Sequence, residues 1–150
     1  ARVGAEALAF KRMNAMAGAA EPDGQRLAVI AEALYLANLL LAPGIAFAAL
    51  VWLWFRHKDA APPLARQHLR QATYVSVVGG GLIVCLSAGL VALGGLHWPW
   101  TWVVVLTYFV CIHGALVLCG MFALAKAMAG QMWRYPLIGP QLTATDEGCR

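Results

Sequence analysis

Two apolar runs, about Thr73 to Leu96 and Trp100 to Ala125, follow one another across a single short turn, and they constrain the fold more than any other feature of the chain. Each is long enough to cross a hydrocarbon layer of about 30 Å at 1.5 Å of rise per residue. A crossing segment has no water to bond with, so it must satisfy its own N–H and C=O groups, which a helix does. Composition points the same way, since 61% hydrophobic and 12% charged residues lie far from the usage of soluble domains. With 150 residues there is room for one small helical bundle and none for a second domain. Residues 1–25 carry scattered charges and no apolar run ahead of a small-residue cleavage site, so insertion is expected to rely on the spans themselves.

A third apolar run, about Leu27 to Phe55, is interrupted by Pro43 and Gly44. It is either one long, kinked, tilted span or two short helices folded into a hairpin. Length favours the single span, because hairpin arms of roughly 24 and 17 Å leave a non-helical turn in lipid. Charge favours the hairpin, which alone keeps Lys11, Arg12 and Arg26 on the same side as the other basic residues. The expectation is an all-α integral membrane bundle of three transmembrane helices, the first kinked or split at Pro43-Gly44. Residues 1–26 would form a polar segment with a short amphipathic helix over Glu6 to Gly18, and residues 130–150 an extended cytoplasmic tail.

Aromatic residues mark the interfaces: Trp52, Trp54 and Phe55, then Trp98, Trp100 and Trp102, then Trp133 and Tyr135. The connection before the second span carries Arg56, Lys58, Arg66 and Arg70, whereas the turn between the last two spans has no Lys or Arg. By the positive-inside bias the first connection is cytoplasmic, as expected of a multi-pass protein of a bacterial inner membrane.

Between the first two runs lies "AAPPLARQHLRQATY", rich in polar side chains for such a setting. Pro62 and Pro63 suit a helix start, so this stretch reads as the first turns of the second span. Arg66 and Arg70, one turn apart, would reach lipid phosphates, while His68 and Gln71 would project toward the bundle or a neighbour. With Trp98, Trp100 and Trp133, the residues Arg66, His68 and Arg70 form the expected lipid or partner contacts. "PLARQHLRQA", followed one hairpin later by "AMAGQMWRYPLIG", resembles the paired signature of small bacterial membrane proteins related to the chloroplast inner-envelope Tic import component. The resemblance implies an α-helical bundle without established enzymatic activity, a place in protein import for the plastid relatives, and structural roles for Pro63, His68, Gln71, Ala72, Gly130, Tyr135 and Pro136.

Catalytic sets are missing from the sequence. Ser76 and Ser87 lack a nucleophile-elbow setting, Asp146 and Glu147 sit in a polar tail, and Gly79 to Gly81 have no following Lys or Ser/Thr to make a phosphate loop. No basic stripe interleaved with aromatic residues points to nucleic acid. Small residues recur every four positions at Gly81, Cys85 and Gly89 and at Cys111, Ala115, Cys119 and Ala123, and the two strips are expected to face each other. His113, near the middle of the last span, is a candidate cofactor ligand facing away from its strip, with a neutral hydrogen-bonded histidine as the plainer reading. Glu32 and Asn38 are candidates for an ion path, with a headgroup position the plainer reading for the glutamate. Met121, Met128 and Met132 offer soft sulfur ligands for copper, or adaptable packing.

The sequence is thus read as an accessory or structural subunit of a larger membrane complex, without enzymatic activity or cofactor, whose partners are lipids and other membrane subunits. The alternatives are a protein-translocation or small-solute transport factor, with a polar lining across facing spans, and a haem-, pigment- or copper-associated protein using His113.

Overall fold

The computed structural model describes residues 23–136, and these form four helices without a strand. They are α1 (Gln25–Leu40), α2 (Ile45–His57), α3 (Pro63–Gly94) and α4 (Pro99–Met128). The amphipathic helix expected over Glu6 to Gly18 and the tail beyond residue 136 lie outside the described residues. Pro63 and Pro99 each open a helix, where a missing N–H costs nothing. Gly95 and Gly130, at φ 75° and 65°, turn the chain out of α3 and α4 in a conformation a side chain would resist. α3 and α4, of 32 and 30 residues, are long and apolar enough to cross a membrane.

The first apolar run is a hairpin, which corrects the single kinked span. α1 starts beside the start of α3, where a Cβ on Gly24 would meet Ala65 and Pro62, and beside the end of α4, where the Gln25 amide donates to the Met128 carbonyl. α2 ends at His57, a short connection before α3 begins at Pro63, so the hairpin returns to the end it came from. Its depth follows from Tyr35, whose hydroxyl donates to the Leu116 carbonyl at 3.1 Å. Leu40 lies about 7 Å further on, so the tip stops just past the middle of α4.

Two features make the short arms tolerable. The turn leaves few donors unpaired: the N–H groups of Leu41 and Ala42 both donate to the Ala37 carbonyl, Pro43 has none, and that of Gly44 donates to Asn38 Oδ1 at 3.1 Å. α1 also packs on both long helices and α2 on α3, with Ala31 and Tyr35 of α1 and Leu50 and Leu53 of α2 joining Leu69, Ala72, Val75, Leu116 and Ala123 in one core. The hairpin places Arg26 at the same end of the bundle as Arg56, Lys58, Arg66, Arg70, Lys126 and Arg134, as charge favoured; Lys11 and Arg12 lie outside the described residues.

α3 and α4 do not meet along the expected small-residue strips. Gly81, Cys85, Cys111 and Ala115 are exposed, Gly89 and Cys119 are partly so, and of the strip members only Ala123 is buried in the core. The contact face is set instead by large side chains that need a glycine opposite. A Cβ on Gly79 would come within 2.9 Å of Leu116, and one on Gly94 within 2.3 Å of Thr101 Oγ1. Gly120 does the same for α1, lying against the Tyr35 ring and Leu36. Gly81 is about 200° around the helix from Gly79, so its strip turns away.

Candidate functional site

At the basic end, where water and headgroups begin, the bundle encloses a set of polar side chains that the sequence scatters over a hundred positions. Glu32 and His68 are fully buried, Gln71 and Tyr135 are 1% exposed and Gln67 is 3% exposed. Polar groups shut away from water cost free energy unless bonded, so their partners decide whether the arrangement holds.

His68 sits on the second turn of α3. One ring nitrogen, Nδ1, is 2.8 Å from Glu32 Oε1 on α1, and the other, Nε2, is 3.0 Å from the backbone carbonyl of Gln131. A carbonyl only accepts, so Nε2 carries a hydrogen. A second hydrogen lies between Nδ1 and Oε1 and belongs either to the imidazole or to the carboxyl. In both forms the pair is neutral as a whole, which is what a buried site requires. The other carboxyl oxygen, Oε2, accepts from the Tyr135 hydroxyl at 3.1 Å.

Glu32 and Tyr135 lie outside the two long helices, and their environments agree with this pattern. Burial pushes the Glu32 carboxyl above its ordinary value, opposed by the hydrogen bond and charge of His68 and by the Tyr135 hydroxyl. Burial, followed by the negative charge of Glu32, raises the Tyr135 phenol well beyond its usual range, so it stays protonated and donates.

The segment after α4 is fastened by the same helix. Gln67, His68 and Gln71 lie on one side of α3 and grip every second residue of that segment. The Gln67 amide donates to the Trp133 carbonyl, His68 Nε2 to the Gln131 carbonyl, and the Tyr135 N–H donates to Gln71 Oε1 at 3.1 Å. Ring contacts close the clamp: Tyr35 meets Tyr135 edge-on at 5.7 Å, and Trp133 lies 4.9 Å from Tyr135. Chemically this is a strap held by a proton-sharing pair, not a nucleophile beside a base. The polar stretch at the start of α3 thus mainly faces inward.

Several expected contacts change accordingly. His68 is sealed in the cluster and touches no lipid, because the Glu32 carboxyl of α1 and the Gln131 carbonyl take both of its ring nitrogens. Trp133 packs against the core with its carbonyl taken by Gln67, so it too leaves the interface. Glu32 is a cluster member and not a headgroup contact. Arg66 is half-buried, with its guanidinium donating to the Ala61 carbonyl at 3.0 Å, and Arg70 is half-buried one turn on. Trp98 and Trp100, 59% and 64% exposed, lie at the far end of the bundle, where α4 begins.

His113 is half-buried, and its ring stacks on Phe109 one turn away at 5.1 Å. Among the described residues no group of three or more His, Cys, Asp or Glu side chains is placed to hold a metal ion. Met121 and Met128 are exposed, whereas Met132 packs on Ala28, Leu64 and Ala127. Asn38 caps the hairpin turn and Glu32 belongs to the cluster, so these two and His113 form no polar line between the long helices.

Sequence reasoning placed His68, Gln71 and Tyr135 in paired motifs but missed their meeting with Glu32. The available signal was an acidic residue in an apolar run that also contained the sequence's first candidate hairpin. Only the hairpin brings Glu32 alongside His68, 36 positions away.

A family model described as the magnetosome magnetite crystal formation protein family (MamF/MmsF) matches residues 23–142. No curated protein and no solved structure matches the chain. The family match overturns the resemblance to Tic-related proteins. Pro63, His68, Gln71, Gly130 and Tyr135, on which that likeness rested, are the parts of a helix start and a clamped segment, and stretches this short fix a packing solution more readily than a lineage.

Proposed function

The chain belongs to the magnetosome magnetite crystal formation protein family, and from that premise we propose that it acts in the magnetosome membrane as a non-catalytic accessory subunit of a larger membrane protein complex. It contributes packing and lipid contacts, with its basic end in the cytoplasm and its Trp98–Trp100 end at the opposite surface. In this reading crystal formation depends on the company the chain keeps in the membrane, not on a reaction it performs.

The observation that carries the reading is the apolar surface left over by α3 and α4. Val84, Leu93, Leu106, Val110 and Phe122 are 66%, 91%, 58%, 65% and 65% exposed. A patch of that extent is covered by acyl chains or by neighbouring subunits. The polar side chains, in contrast, are spent on fastening the chain's own segments, which suits a scaffold.

Native mass spectrometry of the protein, extracted in mild detergent from its own membrane, tests the reading. The expected spectrum contains larger, identifiable membrane subunits in fixed ratio to this chain. A bare monomer, or a homo-oligomer alone, would overturn it.

A further inference from the structure

The described helices fill the two halves of the bundle unequally. From the basic end to just past the middle of α4, α1 and α2 stand beside α3 and α4, so four helices cross that layer. Beyond the hairpin tip only α3 and α4 continue. In that half Val84, Leu86, Leu93, Leu106 and Val110 are exposed. With a diameter of about 10–12 Å per helix, side chains included, each helix occupies roughly 80–110 Å², so the cross-section about doubles from one layer to the other.

A doubled cross-section is a wedge, and lipid packs around a wedge without strain only in a curved bilayer. We propose that this chain favours membranes curved so that the leaflet holding its basic end is the outer, convex one. The outer leaflet of a vesicle offers more area per inclusion than the inner leaflet, and the disparity grows as the radius shrinks. Across about 15 Å between the mid-levels of the two leaflets, a twofold area ratio corresponds to a radius of only about 45 Å. Every ordinary vesicle is flatter than that, so the preference increases steadily toward small radii and has no optimum in the accessible range. The chain also enters and leaves its described part at the basic end, which is consistent with the wider side being there. The inference rests on the hairpin's depth alone and is independent of whether the protein has partner subunits.

The test uses the purified full chain reconstituted into phosphatidylcholine vesicles, one batch sonicated to the smallest stable size and one extruded large. Trypsin added outside cuts only copies whose basic end faces out, after Arg56, Lys58 or Arg134, and the uncut fraction counts the opposite orientation. The expected result is an outward-to-inward ratio at least about twofold higher in the small vesicles. Equal ratios in the two batches, or a bias toward basic end inward in small vesicles, would overturn the proposal. So would a bias that appears only when phosphatidylglycerol is added and ignores vesicle size, because charge and not shape would then set the orientation.

Discussion

Replacing His68 by alanine withdraws an imidazole that is fully buried against Glu32, with 2.8 Å between Nδ1 and Oε1. Removing one member of a buried charged pair costs about 3–5 kcal/mol, because the survivor stays in a site built for its partner. Here the survivor is Glu32, still bonded by Tyr135 at one oxygen. Glu32→Gln behaves differently. Its amide N–H can donate to Nδ1 of a neutral imidazole while its carbonyl goes on accepting from Tyr135, so every bond is kept and the cost stays within about 1 kcal/mol. Adding His68→Ala to that background leaves a neutral amide with an unmet donor, worth about 1–3 kcal/mol. The double variant is therefore more stable than His68→Ala alone by roughly 2 kcal/mol, about thirtyfold in the unfolding constant. The pH dependence has a definite sign. Burial already holds the Glu32 carboxyl above its ordinary value, and losing His68 removes two influences that lower it. A folded-state value above the unfolded one gives stability that is complete below the unfolded value and lost as pH rises through the folded one. His68→Ala should then lose stability as pH rises above the ordinary carboxylate range, while the double variant, which has no carboxyl there, stays flat. Unfolding in mixed micelles by added dodecyl sulfate, followed by helical circular dichroism and by tryptophan fluorescence, reads all four proteins. If the double variant is no more stable than His68→Ala, or if His68→Ala is indifferent to pH, the shared-proton account fails.

The same assay separates the glycines. Gly120→Ala puts a Cβ 2.5 Å from the Tyr35 ring and should cost about 1–3 kcal/mol, whereas Gly81→Ala meets nothing and should be neutral or stabilising by up to about 1 kcal/mol. Tyr135→Phe removes the donor to Glu32 Oε2 and should cost about 1.5–3 kcal/mol; cutting after Arg134 by trypsin in micelles should quicken by a similar factor. Asn38→Leu strips the Gly44 N–H of its acceptor, and hydrogen exchange at Gly44 should accelerate in proportion to a loss of about 1–3 kcal/mol while exchange in α4 stays unchanged.

How much of this was legible in the residues depends on the range of the interactions involved. The long helices were readable because hydropathy and length act locally, and the prolines at 62 and 63 mark the start of the first of them. The first run was ambiguous because local rules pulled both ways, Pro43 and Gly44 allowing either a kink or a turn. What decides it is a side chain six positions away, Asn38, which supplies the acceptor the turn needs. The helix-packing strips misled because small residues at a spacing of four permit close approach without requiring it. The actual contact depends on Leu116, whose fit against Gly79 belongs to the pair of helices and to neither sequence alone. The polar cluster was half legible. His68 and Gln71 stand out where they are, but Glu32 and Tyr135 become their neighbours only once two hairpins have closed.

That closure also imposes a timetable on the ribosome. Glu32 and Tyr135 are 103 positions apart, so at synthesis rates of about 5–20 residues per second the carboxyl waits roughly 5–20 seconds for its last partner. Until then an α1 helix already in the membrane carries an acid half provided for, and the polar side chains of α3 have no backbone to grip. A chain that stalls or is truncated before residue 135 keeps both sets open, a feature a membrane protease can recognise, whereas a chain that has passed residue 135 hides them. The segment around Tyr135 thus closes what the earlier helices leave open.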